Sequence, residues 1–205
     1  MPGRNILKQD VPESYYHVYA RGANKQPIFL ETADYAFFLS LLKRHLSIEP
    51  IANARGVGYV NFHDDIQLLS YCLMSNHFHL MFYQIKPGAM PSLMRRIMGC
   101  YSTYFNRKYD RRGALFESRY RASRITSDEY LLHISRYIHL NPEKWRTYDF
   151  SSVHYYLGNT SPDWVTTEPI KELFGTPSHY LTFLEDYEQY RLVLKQFKHE
   201  LANFE

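Results

Sequence analysis

The feature that most constrains the fold is an apolar run near the middle of the chain, interrupted only once. Ile66 to Met74 (IQLLSYCLM) and His77 to Tyr83 (HFHLMFY) are rich in strand-forming residues, and only Ser75-Asn76 separates them. Two residues are enough for the tight turn of a β-hairpin. The sequence therefore predicts two strands joined by this turn, the first of them buried.

Helical and strand patterns surround this hairpin in a regular order. Apolar residues recur at steps of three and four in the predicted helices, and strand-forming residues cluster in the predicted strands. The predicted strands outside the hairpin are 15–20 and 115–125, the helices are 32–46, 91–109 and 126–141, and the long connection is 49–65. This order predicts an α+β fold with a ferredoxin-like four-stranded antiparallel sheet and helices on one face.

The third predicted helix ends at Pro142, which cannot continue it. Short helical patterns follow at 169–174 and 178–196, so we expect a helical C-terminal tail. The sequence thus predicts a main domain over residues 1–142 and an appended helical segment, 143–205, packed on it.

Composition excludes several classes of protein. No apolar run approaches the roughly 18 residues that span a bilayer, and the first residues lack the apolar stretch of a secretory signal. The cysteines, Cys72 and Cys100, form no CxxC pair, which argues against a disulfide framework or a cysteine zinc site. We expect a cytoplasmic protein that does not act at a membrane.

The second strand of the hairpin carries two histidines one residue apart. Because side chains alternate between the faces of a strand, His77, His79 and Met81 share one face, while Phe78 and Phe82 point to the core. Two imidazoles roughly 7 Å apart along a strand can converge on one divalent cation, but a third ligand is needed. Alternatively, the pair is simply two partly exposed histidines that hydrogen-bond to their neighbours.

The third predicted helix offers partners for this pair. His133, Tyr137 and Asn141 are spaced by four residues and form a stripe beside the core-facing one. If this stripe meets the histidine face, a phenol and an amide oxygen come together beside a metal. A tyrosine oxygen can then attack a phosphodiester and form a covalent phosphotyrosine. With 19 tyrosines in the chain, the alternative is that Tyr137 only packs.

Positive charge is concentrated in one segment, residues 95–124, which holds nine basic and two acidic side chains. The basic residues are Arg95, Arg96, Arg107, Lys108, Arg111, Arg112, Arg119, Arg121 and Arg124. Tyrosines and Phe105 lie between them, so the segment offers both phosphate neutralisation and stacking platforms for unpaired bases. It predicts a nucleic-acid contact, with a solvated helix face as the alternative.

These motifs together resemble a known family. LMSNHFHLMF resembles the HUH motif of the single-tyrosine transposases, and RYIHLNP at 136–142 resembles their tyrosine helix. YHVYARG at 16–22, LFESRYRA at 115–122 and DFSSVHYYLG at 149–158 are similar to the REP-associated tyrosine transposases, which are insertion-sequence-200-like. The resemblance covers about residues 15–185.

The resemblance implies a mechanism and a set of site residues. His77 and His79 would bind a catalytic Mg²⁺ or Mn²⁺, and Tyr137 would form a 5′-phosphotyrosine link and free a 3′-hydroxyl. Asn141 stands where related transposases carry a glutamine as the third metal ligand, one methylene longer. The implied substrate is single-stranded DNA folded into hairpins, so residues 1–142 would form the catalytic domain of a nucleoid-associated enzyme.

Three functions remain open on the sequence alone. The first is a metal-dependent tyrosine transposase that nicks and rejoins single-stranded DNA. The second is a non-catalytic hairpin- or sequence-specific nucleic-acid-binding protein, and the third is a metallohydrolase without a covalent step. The sequence also leaves open whether the protein is a monomer or a homodimer, and whether Tyr137 serves its own histidines or those of a partner.

The remaining histidines give weaker signals. Strand parity alone does not assign His17 to either face of the sheet. His63 lies in a polar loop, His133 is expected near the active face, and His139 is expected to face solvent.

Overall fold

Four antiparallel strands form one sheet at the centre of the protein, in the order β2-β3-β1-β4. The structure, a computed structural model, describes residues 10–187. The strands are β1 (Ser14–Arg21), β2 (Ile66–Met74), β3 (His77–Gln84) and β4 (Arg121–Ile125). With α1 (Thr32–Leu46) between β1 and β2, and α2 (Ala89–Lys108) between β3 and β4, this is the predicted ferredoxin-like arrangement.

The predicted hairpin forms one half of the sheet, as β2 and β3. β2 and β3 pair from Ile66↔Gln84 to Met74↔His77, and Ser75-Asn76 connects them. The segment before α1 contacts this turn, because Ser75 O accepts hydrogen bonds from the backbone N–H groups of both Ile28 and Phe29. The register of β3 is therefore fixed at the end where the two histidines lie.

A glycine makes this contact with the turn possible. Gly22 follows β1, and its N–H donates to Asn76 O at 2.8 Å. A Cβ atom at this position would lie 2.1 Å from Gln26 O, so only glycine fits without a shift of the backbone.

One face of the sheet is covered by α1 and α2. The even-numbered side chains of β3, Phe78, Leu80 and Phe82, are fully buried against this layer. From α2, Leu93, Ile97, Tyr101 and Phe105 complete the same core, as the spacing predicts.

The opposite face carries α3 (Asp128–His139) and the segment that follows it. Leu131, Ile134 and Ile138 of α3 pack with Cys72 and Met81 of the sheet. The later elements are α4 (Val153–Tyr156), α5 (Glu168–Phe174) and a helical stretch at 177–187. Of the predicted helix 178–196, residues 188–196 lie outside the described residues, and the predicted domain boundary after residue 142 stays a prediction.

Two differences from the predicted boundaries bear on the residues near the pocket. β4 is shorter than the predicted strand 115–125, because residues 115–120 form a loop. This loop pairs with the residue after β1 through the isolated bridge Gly22↔Phe116. The predicted helix 126–141 ends at His139, so Asn141 lies just beyond the last turn of α3. Within residues 10–187 no helix is long and apolar enough to cross a membrane.

Candidate active site

A pocket of about 220 Å³ opens on the face of the sheet that carries α3. Its position follows from the register, because Tyr19 and Arg21 of β1 are paired with His79 and His77 of β3. The lining residues are Tyr19, Ala20, Arg21, His77, His79, Glu117, Ser118, Arg121 and Tyr137. The structure therefore brings the predicted histidines and the predicted tyrosine to one pocket.

His77 has a partner at each ring nitrogen. Its Nδ1 lies 2.6 Å from Asn76 Oδ1, and its Nε2 lies 3.1 Å from Asn141 Oδ1. The amide of Asn76 is oriented by a second contact, since its Nδ2 donates to Lys25 O at 3.1 Å. Asn76 Oδ1 is therefore the atom that accepts from His77, and burial lowers the pKa of His77, so the neutral ring carries its proton on Nδ1 and turns Nε2 toward Asn141.

His79 contacts a third histidine. Its Nδ1 lies 2.9 Å from Nε2 of His17, which is the residue of β1 that sequence parity could not place. Both rings are buried, with 5% and 7% of their surfaces exposed. Burial lowers the pKa of His17 to about 4 and lowers the pKa of His79 well below its usual value. At neutral pH the pair is therefore uncharged, and one proton lies between the two nitrogens.

Tyr137 lies at the mouth of the pocket, with 46% of its surface exposed. Its ring stands edge-on to His79 and His17, with centroid separations of 5.2 Å and 5.9 Å. Burial raises the pKa of Tyr137, and a hydrogen bond with Asn141 opposes this effect. The phenol is therefore neutral at pH 7, and it must lose its proton when it attacks an electrophile.

Two arginines give the pocket its positive charge. Arg21 ends β1 and Arg121 begins β4, and their side chains lie on the same face as the histidines. Arg121 belongs to the predicted DNA-binding set, whereas Arg21 was not predicted. Arg21 lies two residues after Tyr19 on a strand, so the sequence places both side chains on one face. Only the register of β1 against β3 shows that this is the histidine face.

A second groove of about 760 Å³ shares Glu117 and Ser118 with the pocket. It lies between α2 and the loop 113–120, and its walls include Arg95 and Arg119 together with apolar side chains. The apolar members are Met94, Met98, Leu115, Phe116 and Tyr120. Two residues of the predicted basic set thus border a groove next to the candidate site.

The other predicted DNA-binding residues are more widely spread. Lys108 is held by Asp34 Oδ1 at 2.7 Å and Glu31 Oε1 at 2.6 Å, so its charge is used to connect α2 to α1. Arg111 donates to Ala114 O. Arg96, Arg107, Arg112 and Arg124 are exposed. The basic segment therefore does not form one continuous patch.

The prediction for His139 was wrong, and His63 and His133 do not line the pocket. His139 is fully buried, and its ring nitrogens contact Tyr180 Oη at 2.6 Å and Ser152 Oγ at 2.8 Å. His133 contacts Arg136 and does not line the pocket. His63 Nδ1 lies 3.1 Å from Leu46 O in the loop before β2.

Within the described part of the chain, no group of three or more His, Cys, Asp or Glu side chains is arranged to hold a metal ion. A metal at the pocket would therefore depend on two imidazoles and the amide oxygen of Asn141.

Comparisons with known proteins agree with this architecture. Residues 57–141 match the family model described as IS200-like transposase. The solved structure of a REP-associated tyrosine transposase bound to a REP hairpin superposes with a TM-score of 0.54, over 80% of this chain and 92% of that chain, at 15% identity. That likeness shows a shared fold.

A second solved structure, reported as a candidate transposase from Deinococcus radiodurans R1, has a TM-score of 0.39 and 14% identity. It covers 66% of this chain and 95% of that chain. No curated protein matches the sequence significantly.

Proposed function

We propose that this chain, whose residues 57–141 match the IS200-like transposase family model, cleaves and rejoins single-stranded, hairpin-containing DNA through a covalent 5′-phosphotyrosine. The family match confirms the resemblance predicted from the histidine and tyrosine motifs. One observation carries the finer proposal: Tyr137, His77 and His79 border one pocket, and Asn141 contacts His77 there.

The donor set fits a divalent cation. His77 Nε2 and Asn141 Oδ1 lie 3.1 Å apart, and each can offer a lone pair to a cation placed beside both. Two neighbouring ligands of an octahedral ion with bonds of about 2.1 Å are about 3 Å apart. Asn141 is therefore long enough to serve as the third ligand, with His77 and His79.

Two nitrogen ligands favour Mn²⁺ over Mg²⁺, since Mg²⁺ prefers oxygen. When bound, the cation polarises a phosphate oxygen and stabilises the negative charge of the transition state. Asn141 then has two tasks, since it also hydrogen-bonds with Tyr137.

The protein's own side chains would carry the remaining chemistry. Arg21 and Arg121 neutralise the phosphate that enters the pocket. Tyr137 Oη attacks the phosphorus atom and its proton passes to solvent; the P–O3′ bond breaks, and the leaving O3′ takes a proton from solvent to become a free hydroxyl. In the rejoining step a 3′-hydroxyl attacks the phosphotyrosine, and the phenol is restored.

The second groove extends this site along the DNA strand. A strand whose scissile phosphate lies between Arg21 and Arg121 would pass Glu117 and Ser118 and enter the groove beside Arg95 and Arg119. The apolar walls of the groove suit unpaired bases. A related fold has been solved with a REP hairpin bound, which supports a hairpin as the DNA partner here.

The proposal is tested by the covalent intermediate. The purified protein is incubated with a labelled hairpin that has single-stranded flanks and with Mn²⁺, and the products are separated under denaturing conditions. We expect a protein–DNA adduct with wild type and none with Tyr137→Phe or His77→Ala. Tyr130→Phe is the matched control, because Tyr130 is an exposed tyrosine of the same helix that does not line the pocket.

An adduct that survives Tyr137→Phe would exclude Tyr137 as the nucleophile. Wild type that binds the hairpin without forming any adduct would instead favour the non-catalytic DNA-binding alternative.

A further inference from the structure

The contact between His17 and His79 has a consequence for the proposed site. A hydrogen bond between two neutral imidazoles uses one proton, so one nitrogen donates and the other accepts. If His17 Nε2–H donated, His79 would carry its own proton on Nε2 and could not bind a metal through that atom. If His79 Nδ1–H donates, His79 Nε2 has a free lone pair.

The second arrangement matches that of the neighbouring histidine. His77 donates its Nδ1–H to Asn76 Oδ1 and keeps Nε2 unprotonated. In His79, Nδ1 is likewise the nitrogen with a partner behind it, His17 Nε2 at 2.9 Å. Both imidazole rings of β3 thus have a hydrogen-bond partner at Nδ1. The partner is Asn76 for His77 and His17 for His79.

The ring of His17 is itself held firmly. It stacks on Tyr19 with a centroid separation of 5.1 Å and an interplanar angle of 27°, and it meets the edge of Tyr137. It is also almost fully buried, so water does not compete for its Nε2. An imidazole held this way is a directed acceptor rather than a third metal ligand, because its Nε2 is turned onto His79.

We propose that His17 is a positioning residue that accepts a hydrogen bond from His79 Nδ1–H and thereby keeps His79 Nε2 unprotonated and available to a divalent cation. The proposal rests on the proposed function for the role of the cation, but the proton position is a property of the metal-free protein. Partners of this kind set the tautomer and the orientation of a metal-binding histidine, and their loss typically weakens metal binding about 10- to 100-fold.

The first measurement locates the proton in the absence of metal and DNA. Long-range ¹H–¹⁵N correlation spectra distinguish Nδ1-protonated from Nε2-protonated histidines, and His79→Gln assigns the signals. We expect His79 to be protonated on Nδ1 in wild type, and to become Nε2-protonated or mixed in His17→Phe. Wild-type His79 protonated on Nε2 would overturn the proposal.

The second measurement is Mn²⁺ affinity by calorimetry with a matched pair of variants. His17→Phe keeps the ring but removes the acceptor, and we expect binding at least about 10-fold weaker. His17→Gln places an amide oxygen near the position of Nε2, so we expect binding close to that of wild type. If His17→Phe binds Mn²⁺ as tightly as wild type does, the proposal is wrong.

The two proposals can fail separately. In one case, His79 is protonated on Nδ1 and His17→Phe binds Mn²⁺ more weakly, but wild type forms no adduct. This result would support the role of His17 and count only against DNA cleavage. In the other case, wild type forms an adduct and His17→Phe binds Mn²⁺ as tightly as wild type does. This result would support DNA cleavage and count only against the role of His17.

Discussion

The proposed DNA path makes a quantitative prediction about salt dependence. Four arginines border it: Arg21 and Arg121 at the pocket, and Arg95 and Arg119 at the second groove. Each phosphate that is neutralised on a single strand adds about −0.7 to the slope of log affinity against log salt. Four contacts give a slope of about −2.8, so raising the salt from about 50 to about 200 mM should weaken binding about 50-fold.

Removing the charges of the groove should remove half of this dependence. In Arg95→Gln/Arg119→Gln we expect a slope of about −1.4 and a loss of only about 7-fold over the same salt range. The assay is fluorescence anisotropy with a short unpaired oligonucleotide, with every protein also carrying Tyr137→Phe so that no strand is cut. A short single strand is used because contacts with a hairpin stem would add to the slope.

Arg107→Gln is the matched control. Arg107 belongs to the same basic segment and is exposed, but it lines neither the pocket nor the second groove. We therefore expect the slope of this variant to equal that of the parent. A slope that falls for Arg107→Gln and not for the double arginine variant would refute the path, because the strand would then follow the α1–α2 side of the protein.

Two further predictions concern stability and subunit arrangement. Asp34 is fully buried and accepts hydrogen bonds from Lys108, Tyr109 and Leu30 N, so Asp34→Asn should lower the free energy of unfolding by about 3 kcal/mol at pH 7 in urea titrations. Burial works to raise the pKa of Asp34, but these hydrogen bonds outweigh it and hold the pKa below its usual value. The difference in unfolding free energy between wild type and Asp34→Asn should therefore shrink as the pH falls below about 4. A difference that stays constant with pH would contradict this cause. Because Tyr137 and both histidines of one chain share a pocket, mixing Tyr137→Phe with His77→Ala protein should restore no adduct, and a restored adduct would show that the tyrosine acts on a partner's histidines.

Local sequence patterns predict the elements well where one periodicity dominates. The bounds of α1 and β2 are those predicted, because an uninterrupted helical stripe and a buried apolar run each leave little choice. The predicted strand 115–125 was too long, because Leu115 and Phe116 are buried by the loop's contact with α2 rather than by strand pairing. An apolar pair in a loop looks the same in sequence as an apolar pair in a strand.

The candidate site was only partly predictable for a similar reason. His77, His79, Tyr137 and Asn141 follow from the spacing within one strand and one helix, and the structure brings them together. Arg21 and His17 required the register of β1 against β3, which no local pattern contains. His139 was placed wrongly because its partners, Ser152 and Tyr180, come from later segments that cover that side of α3.

The same contacts bear on how Tyr137 is held in place. Arg136 and His139 flank it on α3 and turn the other way, with Arg136 donating to Phe183 O and stacking 4.1 Å from the Phe183 ring. The helix is therefore fixed on one side by residues 143–187, while Tyr137 faces the pocket on the other. These fixing residues lie beyond the family match at 57–141. We infer that the predicted boundary after residue 142 does not separate the proposed catalytic unit from an independent tail, because the position of Tyr137, the proposed nucleophile, depends on both sides of it.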